Sequence, residues 1–339
     1  MTILSEKKGP DVRNPSPAMM LFAGIDVGGT KTDAVLLDES GVEHARARVA
    51  TRTGVEGVVE SVLAAIAHAH QSAPPHIRAL DIHAAGVGTP GAVDVDAGMI
   101  GRSVHLDIEE LPLAALVSAE LACDVHVDND VNLAAFGLAR SMHPRAESLV
   151  FLNLGTGFGA GVIVDGSVVR GQSGAAGEIG HLCFDPSGPR CECGMTGCIE
   201  LFASGSGLLR ASGGASLSEL FASAHHDPAH SKVVDRFSAA LAEAIRIAVQ
   251  TYDPEVVALG GGVFASRDVF MPRVLTILDR WSEASRFIRS LNLRDRIHIV
   301  DPTRAVAASG AALWAVERQV TKSEDDGRLD LYAREPFTV

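Results

Sequence analysis

Residues 177–200, GEIGHLCFDPSGPRCECGMTGCIE, gather His181, Cys191, Cys193 and Cys198 between the glutamates Glu178 and Glu200. One imidazole and three thiolates are a complete donor set for tetrahedral zinc. Four protein ligands leave no open position, so the expected role of the ion is structural. The order C-x-C-G-x-x-G-C departs from zinc-finger spacing, and its tight turn needs the flexibility of Gly194 and Gly197. The competing reading is a set of reduced, buried cysteines. Cys123 and Cys183 are left over and read as small core residues. Glu178 and Glu200 suit a polyhydroxylated ligand held beside a stiffened loop, or else mere surface solubility.

Three glycine-rich turns could hold phosphate. In IDVGGTKTD, Asp26 stands at a strand mouth and is followed by Gly28, Gly29, Thr30 and Lys31. Backbone N–H groups of such a turn converge on phosphate oxygens, and the carboxylate can orient a metal-bound phosphate. This turn has neither the GxxxxGK[ST] nor the GxGxxG spacing, so a P-loop or nicotinamide site has no support there. A plain hairpin with a surface Asp and Lys fits equally well. LGTGFGAG (154–161) and LGGGVF (259–264) follow the same logic, or are packing turns. Together the three suggest a ligand with several phosphates lying across two lobes.

VDNDVNLAAFG (127–137) offers Asp130 where a strand gives way to a helix. A carboxylate there could accept the proton of an attacking hydroxyl, with Asn129 hydrogen-bonding the substrate. The same position equally suits a structural N-cap. No GxSxG elbow supports a serine nucleophile.

The elements that would position these residues can be read in outline. LFAGIDVGG (21–29), KTDAVLLD (31–38) and VEHARARVA (42–50) predict three strands. Val58, Val59, Val62, Leu63 and Ile66 have helical spacing. Strands follow at 77–88 and 124–130, and a helix at 131–140. Residues 148–169 repeat the opening: apolar strand, glycine turn, apolar strand, polar turn. This weak repeat predicts two related α/β lobes. A long amphipathic helix at 232–253, a strand and then a glycine turn at 254–264, a short strand at 296–302, and an alanine-rich helix at 305–319 complete the pattern.

The 339 residues are 47% hydrophobic, only 5% aromatic, and include 34 glycines. That composition excludes disordered and fibrous classes. A net charge of −13 disfavours nucleic acid, while a small phosphorylated ligand remains compatible through loop amides. Five cysteines, four within 183–198, argue for clustered thiols in a reducing compartment and against a disulfide framework. The first twenty residues lack the apolar core of a signal peptide, and no run reaches membrane-spanning length. A cytoplasmic protein is expected.

DVGGTK, VGTPGAV, NDVNLAAFG, LGTGFGAG, GEIGH, CECGMTGCIE and LGGGVF, in that order, resemble the ROK family of sugar kinases and repressors over about residues 20–320. The likeness is to its bacterial glucokinase and N-acetylhexosamine kinase members. It implies an α/β, two-lobed, actin-like and hexokinase-like fold with a central cleft. Residues 20–134 plus 303–320 would form the first lobe and 135–302 the second, with tails at 1–19 and 321–339. The last helix would return to the first lobe.

By the resemblance, Asp130 is the catalytic base. The sugar would be held by Asn129, Glu178, His181 and Glu200, with Gly91 on the touching loop. ATP with Mg²⁺ would meet Asp26, Gly28, Gly29, Thr30 and Lys31, then Thr156 and Gly157, with Gly261 and Gly262 at the adenosine. Zinc would sit on His181, Cys191, Cys193 and Cys198, with the second nitrogen of His181 toward the sugar. The implied activity is transfer of the ATP γ-phosphate to a hexose, glucose at its 6-hydroxyl first. Kinases for N-acetylglucosamine, N-acetylmannosamine or fructose are alternatives, as is a non-enzymatic sugar sensor. Expected partners are a sugar and a second copy of the chain, as a dimer or tetramer, with no nucleic acid and no membrane. One departure stands out. Where such kinases often carry an Asn-Leu-x-x-Trp-like stretch, residues 98–112 read GMIGRSVHLDIEELP.

Overall fold

A computed structural model describes residues 19–141, 146–301 and 303–325. The expected tails therefore lie mostly outside the described residues. The first sheet takes β1 (Leu21–Val27), β2 (Lys31–Asp38), β3 (Glu43–Ala50), β4 (Ile82–Thr89) and β7 (Asp124–Asn129), in the order β3-β2-β1-β4-β7. β5 (Val93–Asp94) and β6 (Met99–Ile100) form a small separate ribbon. The second sheet takes β8 (Leu149–Leu154), β9 (Phe158–Val164), β10 (Ser167–Val168), β11 (Val256–Gly260) and β12 (Ile297–Ile299), in the order β10-β9-β8-β11-β12. The two orders are the same path: an antiparallel three-strand meander followed by two parallel strands. The repeat read from 21–41 and 148–169 is thus a repeat of topology.

The first sheet packs α1 (Gly54–Ser72), α2 (Pro75–Arg78) and α3 (Leu113–Leu121) on one face. α1 buries Val58, Val62, Ala65, Ile66 and Ala69, which recur at helical spacing. The strand expected at 77–88 begins later, at Ile82, because Pro75 opens the one-turn α2 and buries Ile77. On the second sheet lie α5 (Glu200–Ala203), α6 (Gly205–Ala211), α7 (Leu217–Ser223), α8 (Pro228–Tyr252), α9 (Arg267–Ala284) and α10 (Arg286–Ser290). The 25-residue α8 starts at Asp227, whose carboxylate accepts from the amides of Ala229 and His230.

Two helices lie between the sheets. α4 (Asp130–Ser141) and α11 (Val306–Asp325) share an apolar cluster with β2, β8, β9 and β11. Close packing there needs bare backbone. A Cβ on Gly86 of β4 would lie 1.9 Å from the Ala311 carbonyl oxygen, and one on Gly310 would lie 1.9 Å from that of Leu133. The alanine-rich composition of α11 is therefore a contact requirement, since larger side chains would lift it off β1 and β4. Arg140 forks onto Glu317 at 2.7 and 2.8 Å, and Gln319 Nε2 donates to Asp124 at 2.8 Å, so α11 is also fastened near its far end. Gly86→Ala is expected to cost about 3 kcal/mol, because the backbone it strikes cannot move aside. A denaturant melt checks this; a midpoint within error of the parent would contradict the packing argument. No helix among the described residues is long and apolar enough to cross a membrane.

Candidate active site

The glycine turns open on one cleft of about 1020 Å³ between the sheets. The β1–β2 turn closes with the Gly28 amide donating to the Lys31 carbonyl at 2.9 Å. The β8–β9 turn presents Gly155 and Thr156, with the Gly155 amide bonded to the Gly157 carbonyl at 3.1 Å. Beyond β11, Gly261 adopts φ 99°, and a Cβ there would meet the Leu154 carbonyl oxygen at 2.4 Å. Only glycine fits that crossing. A Cβ on Gly155 or Gly262, in contrast, would meet no described protein atom within 4 Å. Both turns therefore present bare backbone to open space at the cleft.

The cleft also has walls that sequence reasoning missed. The start of α6 is stitched to the second glycine turn: the amides of Gly205 and Ser206 donate to the carbonyls of Gly155 and Thr156 at 2.9 and 3.0 Å. Arg46 and Arg48 of β3 and Arg304 line it as well. Arg48 reaches back to Asp33. The period-two spacing of Arg46 and Arg48 on a strand was a legible signal; Arg304 carried none.

Asp26 and Asp130 both face this cleft. Asp130 begins α4 but is not its side-chain cap. Asn129 serves that role, its Oδ1 accepting from the amides of Val131 at 3.0 Å and Asn132 at 3.2 Å. The Asp130 carboxylate is thereby released toward the cleft. Burial pushes Asp130 up to about 6, against the pull of nearby backbone amides and of His105. Burial, then the carboxylates of Asp130 and Asp33, push Asp26 up to about 7, with Lys31 and Arg48 opposing.

These raised values carry a sign. The folded chain keeps protons that the unfolded chain, with carboxylates near about 4, has released. The stabilisation is complete below the unfolded value and is lost as pH rises through about 6 to 7. Unliganded Asp26→Asn should therefore lose less thermal stability than the parent between about pH 5 and pH 8. Equal slopes in the two melting series would show the pair ionised throughout.

At the zinc candidate, the ligand atoms of His181, Cys191, Cys193 and Cys198 all lie within 4.8 Å of one another. His181 Nδ1 is 3.7 Å from Cys191 Sγ, and Cys193 Sγ is 3.7 Å from Cys198 Sγ. Tetrahedral Zn–S bonds of about 2.3 Å put ligand atoms at such separations. Gly194 and Gly197 take φ 92° and 72°, as the tight turn requires. Burial, then the neighbouring thiols, push Cys198 up to about 12. A bound dication would reverse that by favouring the thiolates. Nε2 of His181 points the other way, 3.7 Å from a Glu178 oxygen.

The knuckle also ties two strands of the loop together. The Ile199 amide donates to the Leu182 carbonyl at 2.9 Å and the Phe184 amide to that of Gly197 at 2.8 Å. Glu178 and Glu200 are thus held on either side of one clamp. Glu200 Oε2 accepts from the Phe158 amide at 2.9 Å, and a Cβ on Gly157 would crowd that oxygen at 2.8 Å. Glu200 therefore braces the second glycine turn, which makes it more than a surface charge. The core role expected for the spare cysteines does not hold: Cys183 is exposed and Cys123 half-buried, since the clamp turns Cys183 outward beside Cys198. Gly91, at φ 106°, packs against Arg102 and Ser103 and so backs the segment carrying His105.

Residues 22–317 match the model of the ROK family. The chain belongs to the ROK family. A glucokinase from Halalkalibacterium halodurans is 29% identical over 272 residues, which cover 74% of this chain and 82% of that protein. Among solved structures, the ROK hexokinase from Thermus thermophilus superimposes with a TM-score of 0.74 at 28% identity, over 89% of this chain and 100% of that one. A ROK glucokinase from Streptomyces griseus, solved with glucose and AMPPNP, gives 0.73 at 27%, over 88% and 99%. The two-lobed α/β architecture of this ROK chain matches theirs.

Proposed function

We propose that this ROK protein is an ATP-dependent hexose kinase that phosphorylates glucose at its 6-hydroxyl. The observation that carries the reading is the place of Asp130: a buried carboxylate at the start of α4, raised by that burial, on the cleft that receives three glycine turns. A base with a value near the working pH is suited to taking the proton of the attacking hydroxyl. Asn129, Glu178, His181 and Glu200 would hold the other ring hydroxyls, with Gly91 supporting the facing segment. Amides of Gly28, Gly29, Thr30, Thr156 and Gly157, with Lys31, would meet the phosphates, and Gly261 and Gly262 the adenosine. Mg²⁺ would be held near Asp26, where it neutralises charge on the transferring phosphate when bound. His181, Cys191, Cys193 and Cys198 would hold structural zinc. Residues 20–134 with 303–320 would close against 135–302 and exclude water. The kinase names of the similar proteins support the same reaction class.

A coupled ADP-release assay over glucose, N-acetylglucosamine, N-acetylmannosamine and fructose tests the proposal. Glucose is expected to give the highest kcat/KM. A higher value for another sugar would move the substrate, with His105 and its neighbours the first place to look. Sugar binding with no transfer to any sugar would replace the kinase by a sensor.

A further inference from the structure

Asp128 precedes the Asn129–Asp130 pair and has no role in the chemistry above. Its side chain is only 2% exposed. A buried carboxylate must be compensated, and here the compensation comes from the other sheet. Oδ2 of Asp128 accepts from both Nε and Nη2 of Arg170, the first at 3.0 Å. Oδ1 accepts from the Asn129 amide at 2.7 Å and from Asn132 Nδ2 at 3.4 Å. The carboxylate thus joins Arg170 to the backbone of the turn that sets Asp130.

Arg170 has three further attachments, one of them from its Nη1 to the Val168 carbonyl at 3.5 Å. Its guanidinium carbon sits 5.0 Å from the centroid of Trp314 on α11. Its carbonyl accepts from the Ala176 amide at 3.1 Å, closing the loop that runs directly into Gly177 and Glu178. One residue therefore touches the turn bearing the base, the helix between the sheets and the loop bearing the sugar carboxylate.

We infer that Arg170 is a positioning residue: through Asp128 it holds the Asp130 turn and the 171–178 loop in one fixed relation, so that base and sugar contacts are set together. The inference rests on the kinase reading for its kinetic consequence, but its structural claim does not. A buried ion pair alone is weak evidence for stability, and hydrophobic pairs often replace one without loss. The fork onto a single carboxylate oxygen combined with stacking on Trp314 is geometry that lysine cannot copy.

Arg170→Lys and the shape-preserving Asp128→Asn are the test variants. Each is expected to lower kcat on the sugar by roughly 10–100-fold and to raise the sugar KM, with the ATP KM unchanged, because a small misplacement of the base is enough. In hydrogen exchange on the unliganded protein, the amides of 129–132 and of 171–178 should lose protection together. Parent-like kcat and sugar KM in a variant whose melting temperature alone falls would overturn the positioning role. Loss of protection in only one of the two segments would overturn the coupling. If Arg170→Lys does not fold, Asp128→Asn carries both measurements. A parent protein that phosphorylates no sugar refutes the kinase reading instead, and the exchange result then decides the coupling by itself.

Discussion

Asp130→Asn is expected to lower kcat by roughly 10²–10⁴-fold while leaving sugar affinity within a few-fold of the parent. Asparagine keeps the shape and the start of α4, because the cap hydrogen bonds belong to Asn129 Oδ1. What is lost is the carboxylate proposed to take the hydroxyl proton. It also lies close enough to Asp26 to raise it, so the variant should have Asp26 ionising at lower pH. The acid limb of the residual activity should move down with it. Steady-state kinetics over a pH series, with sugar binding by calorimetry, reads all three quantities. A variant retaining near-normal kcat on its best sugar would remove Asp130 from the base role.

The second large effect concerns the metal. Gently purified, untagged protein is expected to carry one equivalent of zinc, and Cys193→Ser to lose it. Cys193 is exposed, so its serine variant leaves the buried Cys191 and Cys198 in place. Without the ion, the clamp between Leu182 and Ile199 loosens, and Glu178, His181 and Glu200 lose their common frame. Glu200 also braces Gly157 and Phe158, so the damage reaches the second glycine turn. A displacement of about 1 Å costs on the order of 10²-fold in kcat/KM, and the sugar is expected to weaken before the fold melts. Zinc occupancy should fall in acid, because the ligands must be thiolates. Less than half an equivalent of zinc, or full sugar affinity in Cys193→Ser, counts against the assignment.

Much of this was legible before any coordinates. The candidate zinc donors lie between residues 181 and 198, so short-range spacing alone brings them together, and the turn glycines at 194 and 197 announce how. The three glycine turns each follow an apolar strand, and the repeat of strand, turn and strand pointed to two related lobes, whose sheets turn out to share one strand order. Family membership followed from motifs in sequence. These features are local: each depends on a few neighbouring residues and the conformations they permit.

Other features were decided only by the tertiary structure. Whether Asp130 caps α4 or faces the cleft depends on where Asn129 points, and both residue types cap helices well. The raised values of Asp26 and Asp130 come from burial and from each other, which no spacing along the chain reveals. Arg170 carries no signal in the sequence; its role arises only where it meets Asp128 of β7 and Trp314 of α11. Cys183 was read as core because cysteine is usually buried, yet the clamp turns it outward. The alanines and glycines of α11 were visible as composition, but their purpose was not. They exist because α4 and α11 must lie backbone to backbone between two sheets, and that constraint arises only when distant segments share one core.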